Sequence, residues 1–135
     1  MNIAIIGASG FLGKNLIKHL LNNTNYNIKA IAPNASNINI PDKHRDRVKK
    51  IQASVFDYEN MKEALVGIDV AYYLVHMMAT EKKDFHNKES ESALITSKVL
   101  ADTGVKRIIY MSRLGDDRDK LSQQRKLRII LNRNC

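Results

Sequence analysis

This chain of 135 residues is poor in several things at once: it has one cysteine, no tryptophan, two prolines and three phenylalanines. A single thiol, Cys135, excludes an intrachain disulfide framework and a zinc centre built on cysteine. The four histidines, His19, His44, His76 and His86, fall at no metal-ligand spacing. No apolar run approaches the ~20 residues of a membrane-spanning helix. The first apolar run ends at Ile6 and has no basic start, so no export signal is expected. Without one, the glycosylation-like triplets Asn22-Asn-Thr24 and Asn34-Ala-Ser36 carry no weight, and the cytoplasm is the expected location. With 44% hydrophobic and 27% charged residues, the composition is that of a globular domain rather than a disordered chain.

Acidic residues are also few: 14 against 22 basic ones, a net charge of +8. The basic residues are denser over 43–50 and 118–133. A nucleic-acid surface would interleave such stretches with aromatics. Neither stretch does so. Both read as solvated faces, and no nucleic-acid partner is expected.

Glycine is scarce as well, six in all, yet three fall in one short span: Gly7-Ala-Ser-Gly10-Phe-Leu-Gly13. The apolar run Ile3–Ile6 precedes them and an amphipathic helix pattern follows at once. The order is strand, tight turn, helix N-terminus. The first N–H groups of a helix lack intrahelical partners, and the helix dipole adds positive potential there. A pyrophosphate fits such a place. On this reading Gly7 lets the chain leave the strand sharply. Gly10 lets the backbone approach phosphate, and Gly13 lets the helix pack closely on the sheet. The alternative is a structural turn without a ligand. The basic surface would draw in an anionic dinucleotide.

Strand and helix patterns alternate along the rest of the chain. Strands are expected at Asn2–Ile6, Asn27–Ala32, Val48–Ala53, Val70–Val75 and Val105–Met111. Val70–Val75 is apolar throughout, as a strand buried on both faces would be. A helix is expected over Phe11–Leu21, with Leu12, Leu16, Ile17 and Leu20 on its buried face. A short one is expected over Tyr58–Val66, N-capped by Asp57 and closed by Gly67. A long one is expected over Glu81–Ala101, with Leu94, Val99 and Leu100 among its apolar positions. Residues 34–47 read as irregular, with a short helix after Pro41, and a basic helix is expected over Asp119–Leu131. Alternation of this kind implies an α/β fold, a Rossmann-like doubly wound parallel sheet. The expected strand order is 3-2-1-4-5, with the ligand outside the strands' carboxyl ends at the switch between strands 1 and 4.

Residues 1–115 resemble the atypical and extended short-chain dehydrogenase/reductase superfamily, and within it the NmrA-like NAD(P)H-binding proteins. The resemblance is carried by Gly7-Ala-Ser-Gly10-Phe-Leu-Gly13, by Gly67-Ile-Asp-Val-Ala-Tyr-Tyr-Leu-Val-His-Met77 and by Gly104-Val-Lys-Arg-Ile-Ile-Tyr-Met-Ser112. It implies NAD or NADP as cofactor. Gly7, Ser9, Gly10, Phe11, Leu12 and Gly13 would lie at the pyrophosphate, Asn34 after strand 2, and Ser54 and Val55 near adenine. Val75 would lie toward the nicotinamide, with His76 and Ser112 as candidate catalytic residues there.

The departures from the family pattern are informative. Where the family often places an arginine for the 2′-phosphate of NADP, this chain has Ala32-Pro33-Asn34, and no acidic residue stands ready for the ribose of NAD. Either cofactor stays open. Ser54 replaces the aspartate that often touches adenine. The family's Tyr-x-x-x-Lys pair would follow strand 5, but no tyrosine follows Tyr110. Tyr58-Glu-Asn-Met-Lys62 has the spacing but precedes strand 4, on the wrong helix. Two functions remain: an oxidoreductase domain inactive alone, or a non-catalytic NAD(P)-sensing module. The expected organisation is a dinucleotide-binding domain over 1–115 and a basic tail over 116–135. A homo-oligomer through strand 5 and the tail is expected, because an open strand edge pairs with other chains.

Overall fold

A computed structural model describes residues 1–75 and 82–110. Five strands form one parallel sheet in the order β3-β2-β1-β4-β5. They are β1 (Asn2–Ile6), β2 (Asn27–Ala32), β3 (Val48–Gln52), β4 (Val70–Tyr73) and β5 (Arg107–Tyr110), joined through α1 (Phe11–Asn23), α2 (Tyr58–Leu65) and α3 (Lys82–Thr103). The strand order is the one the alternation of patterns implied. β1 lies at the centre: Ile5 stands opposite Ala30 of β2 and Tyr72 of β4.

That position explains why β1 reads as an unbroken apolar run. Its side chains alternate between two cores. Ile3 and Ile5 pack with Ile17, Leu20 and Leu21 of α1. Ala4 and Ile6 pack with Met61, Ala64 and Leu65 of α2 and with Val99 and Leu100 of α3. Fully burying one such isoleucine contributes roughly 1.5–3 kcal/mol, so a polar residue on either face of β1 would be costly.

The short helices are capped as their residues suggest. The Asp57 carboxylate accepts from the Asn60 N–H at 3.1 Å and starts α2. Gly67, with φ of +78°, ends it in the left-handed region. The stretch between β2 and β3 holds two single 3-10 turns, Ala35–Asn37 and Asp42–His44, the second directly after Pro41 as expected.

Several expectations need correction. Leu12 is 41% exposed, and the buried positions of α1 are Gly13, Ile17, Leu20 and Leu21. Leu12 lies in the first helical turn, at the carboxyl edge of the sheet, where there is no strand surface to cover it. Leu94 is 56% exposed, because α3 rests on the sheet through Ser92, Ala93, Thr96, Ser97, Val99 and Leu100. β4 is shorter than its apolar run and buried in alternation: Ala71 and Tyr73 are buried, Val70 and Tyr72 half-buried. Val105 is not yet strand, since its N–H donates to Leu100 O and closes α3. The expected helix over 119–131 and the tail 116–135 lie outside the described residues, as do His76 and Ser112. No helix among the described residues is long and apolar enough to cross a membrane.

Arg47 ties the end of α1 to the start of β3. Its guanidinium donates to the carbonyls of Leu21 at 2.9 Å, Thr24, and Tyr26 at 3.3 Å. These are carbonyls that a helix terminus and the loop after it otherwise leave without partners. Arg47→Met keeps the aliphatic stem and removes every donor. It should lower the unfolding free energy by about 1–3 kcal/mol, read as a shift in urea midpoint with an unchanged slope.

Candidate functional site

The turn after β1 is built on one residue of positive φ. Gly7 has φ of +95°, and the N–H groups of Gly7 and Ala8 both donate to Ile31 O at 3.0 Å. A Cβ on Gly7 would also lie 3.0 Å from the Leu74 carbonyl group. The turn is thus clamped between β2 and the end of β4. Gly10 closes it, donating to Gly7 O at 3.3 Å, and stands as the N-cap of α1.

The three glycines have different reasons for being glycine. A Cβ on Gly13 would come within 2.6 Å of Gly7 O and 2.8 Å of Ala8 Cα. The expectation was close packing of helix on sheet; the close approach is of helix on its own preceding turn. Among the described residues, a Cβ on Gly10 would meet only Gly7 O, at 3.6 Å. None of the described residues requires glycine at position 10.

No side chain caps α1, and its first turn holds no acidic residue. The first helical hydrogen bond runs from Lys14 N to Gly10 O at 3.0 Å. The N–H groups just before Lys14 therefore begin the helix without an intrahelical partner. They open beside a cleft of about 360 Å³ at the carboxyl ends of the strands, of the size that takes a small ligand. Ile6, Gly7, Ser9, Gly10, Ile31, Ala32, Pro33, Ala53, Ser54, Val55, Phe56, Leu74 and Val75 line it, and none of these carries a charge.

Six of the residues expected at the cofactor line this cleft: Gly7, Ser9, Gly10, Ser54, Val55 and Val75. Phe11, Leu12, Gly13 and Asn34 do not. Phe11 is 81% exposed at the start of α1, and Gly13 is buried beneath the turn. Asn34 spends its carbonyl oxygen locally, accepting from Ser36 N at 3.1 Å and Ser36 Oγ at 2.6 Å. The Ser54 hydroxyl accepts from the Phe56 N–H at 3.2 Å, which leaves its own proton to donate. That same turn brings Phe56 into the cleft wall. Neither Phe56 nor Pro33 stood out in the sequence. Their shared signal is a chain reversal directly after a strand, at Pro33 after β2 and at the Ser54 turn after β3.

The spaced pair Tyr58 and Lys62 lies outside the cleft. The Tyr58 hydroxyl donates to the Asp102 carboxylate, and that bond raises the phenol's pKa above its ordinary value. Lys98 and Lys62 sit over the ring, at 5.1 and 5.8 Å from its centroid. A catalytic tyrosine needs the opposite, a lowered pKa. This pair joins α2 to α3. Among the described residues, no cluster of histidine, cysteine, aspartate and glutamate could hold a metal ion.

A family model described as NAD(P)H-binding matches residues 7–132. No curated protein sequence matches the chain. Many solved structures do. One is a Rossmann-fold NAD(P)-binding family protein from Shigella flexneri, with TM-score 0.77 and 20% identity over 98% of this chain and 61% of that one. Another is a triphenylmethane reductase from Citrobacter sp. complexed with NADP(H), with TM-score 0.78 and 18% identity over 99% of this chain and 46% of that one. A third is a dTDP-glucose 4,6-dehydratase from Streptomyces venezuelae with NAD bound, with TM-score 0.66 and 17% identity over 80% of this chain and 38% of that one. The chain thus spans about two fifths to three fifths of the length of these structures. At such identities the likeness shows the fold, and the family model shows the rest. Its turn, its strand order and its match over 7–132 make this chain a member of the NAD(P)H-binding family, with a Rossmann-like domain for NAD or NADP.

Proposed function

We propose that this chain is the cofactor-binding domain of a short-chain dehydrogenase/reductase-like oxidoreductase, with the dinucleotide lying in the cleft beside Gly7–Gly13. The observation that carries this reading is the uncapped start of α1 opening on a cleft whose described lining residues are uncharged. With no cationic side chain among those residues, backbone N–H groups and the helix dipole are what they offer a pyrophosphate. Adenine would lie between the Pro33 and Phe56 walls, with Ser54 donating to a ring nitrogen, and the nicotinamide end would extend past Val75. His76 and Ser112 remain candidates for the reacting end. Neither NAD nor NADP is favoured by the residues after β2.

Two solved relatives are by name a reductase and a dehydratase, and they suggest redox chemistry on the bound nicotinamide. This chain carries no Tyr-x-x-x-Lys pair after β5 to exchange the proton. A second reading is an NAD(P)-sensing or interaction module. Both readings share the cofactor and differ in turnover. The location that goes with this reading is the cytoplasm. β5 forms one edge of the described sheet, and an open edge suits a homo-oligomer.

Fluorescence titration with NADH and NADPH tests the site. Wild-type protein should bind at least one of them, and Gly10→Val should abolish binding while folding. Folded wild type that binds neither at millimolar concentration refutes a working site. The glycine contrast tests the turn itself. Gly13→Ala gains helix propensity worth about 1 kcal/mol, but its methyl meets backbone that cannot move aside, and overpacking of that kind costs about 1–3 kcal/mol. Gly13→Ala should therefore be destabilised on balance, and Gly10→Val by no more than about 1 kcal/mol, the scale of a changed N-cap. Equal melting temperatures for the two variants would overturn this assignment of roles.

Turnover separates the two readings. A positioned general acid contributes about two to four orders of magnitude in rate, so this chain alone should reduce a panel of carbonyl compounds slowly or not at all. Robust turnover would support the enzyme reading and direct attention to His76 and Ser112. Sedimentation at micromolar concentration decides the oligomer, and a stable monomer would refute it.

A further inference from the structure

A second cleft, of about 310 Å³, lies on the outer side of α1 and shares no lining residue with the first. One wall is a single helical stripe, Lys14, Ile17, Lys18, Leu21 and Asn22, at the spacing that places side chains on one face. The other wall is Asn39, Pro41, Lys43 and His44, from the stretch between β2 and β3. Ile17 and Leu21 are buried and give the cleft an apolar floor. Its rim carries three ammonium groups and an imidazole, and no carboxylate is among its described lining residues. The adjacent Asp42 is drawn off into an ion pair with Arg45 at 2.8 Å. Among the described residues, Lys14, Lys18 and Lys43 have no ion-pair partner. Like charges gathered around one concave, partly apolar site repel one another, and a bound anion relieves that repulsion.

We propose that this cleft is a second ligand site, for a small phosphomonoester with an apolar or ring portion, separate from the dinucleotide site. The phosphate would lie between the ammonium groups of Lys14, Lys18 and Lys43, as a doubly charged acceptor of charge-assisted hydrogen bonds. The ring would rest on Ile17, Leu21 and Pro41. Asn22, Asn39 and His44 supply further donors for groups on the ring. The described lining of the first cleft offers backbone donors and no charge; that of this one has charged side chains. The two sites therefore recognise phosphate by different chemistry.

Phenyl phosphate is the probe, titrated by calorimetry into the full chain with and without saturating NADH. It should bind in both cases with similar affinity, more weakly as salt rises. Benzyl alcohol, which has the ring without the charge, should not bind. The double variant Lys14→Gln/Lys18→Gln should weaken phenyl phosphate about tenfold, the scale of two lost solvent-exposed ion pairs, and leave NADH affinity unchanged. Both lysines are exposed, so the variant should fold. If it does not, wild-type amide shifts induced by the probe give the same answer, and they should fall in residues 14–22 and 39–44. No binding at millimolar probe, binding unaffected by the variant, or shifts confined to residues 7–13 would overturn the proposal. So would displacement of the probe by NADH. A loss of NADPH but not NADH affinity in Lys43→Gln would also overturn it, because the rim would then belong to the dinucleotide's ribose phosphate.

Discussion

The structure depends on how closely α1 approaches the turn that precedes it. Gly13 lies where even a methyl group would strike the Gly7 carbonyl and the Ala8 backbone. Gly7 holds that carbonyl in place through a left-handed φ and through the shared acceptor Ile31 O. The contact sets where α1 begins relative to β1, and so where its first N–H groups point. The same clamp brings the end of β4 against the turn, because Gly7 has room for nothing larger beside Leu74. Strand, turn, helix and neighbouring strand are thus joined at one point. The open side of that point is the cleft.

Charge is distributed in a way that net composition does not reveal. The chain carries +8, yet none of the described residues lining the cleft beside the glycine turn is charged. Backbone N–H groups at a helix start are fixed dipoles, and such donors need no reorganisation when an anion arrives. Several of the described basic residues are elsewhere. Arg47 is spent on carbonyls at the end of α1, Lys29 donates to Val66 O at 2.8 Å, and Lys14, Lys18 and Lys43 gather around the second cleft. A basic sequence is therefore a poor guide to which cleft is lined by basic residues.

What could be read directly was local. The run Ile3–Ile6, the turn at Gly7, the N-cap at Asp57 and the closing Gly67 each state a backbone requirement within a few residues, and each stands as expected. The alternation of strand and helix was enough to imply strand order, because right-handed crossovers leave few other arrangements. What could not be read depended on neighbours distant in sequence. Leu12 and Leu94 satisfy an apolar pattern, but one overhangs the sheet edge and the other faces away from it. Phe56 and Pro33 fit no hydrophobic period, and only the adjacency of β2 and β3 brings them to one cleft.

The sequence by itself determined the fold class and the strand order, which follow from backbone geometry and hydrophobic period over short stretches, and the kind of cofactor came from its resemblance to a known family. The tertiary structure alone decided which of the glycines are held by packing. It also showed that Tyr58 is bound to Asp102 instead of poised for proton transfer, and that three lysines from two separate segments share one rim. The physical reason is the same throughout. Sterics and hydrogen bonding along the chain act between near neighbours, whereas exposure, charge clustering and pKa depend on which distant segments the sheet brings together.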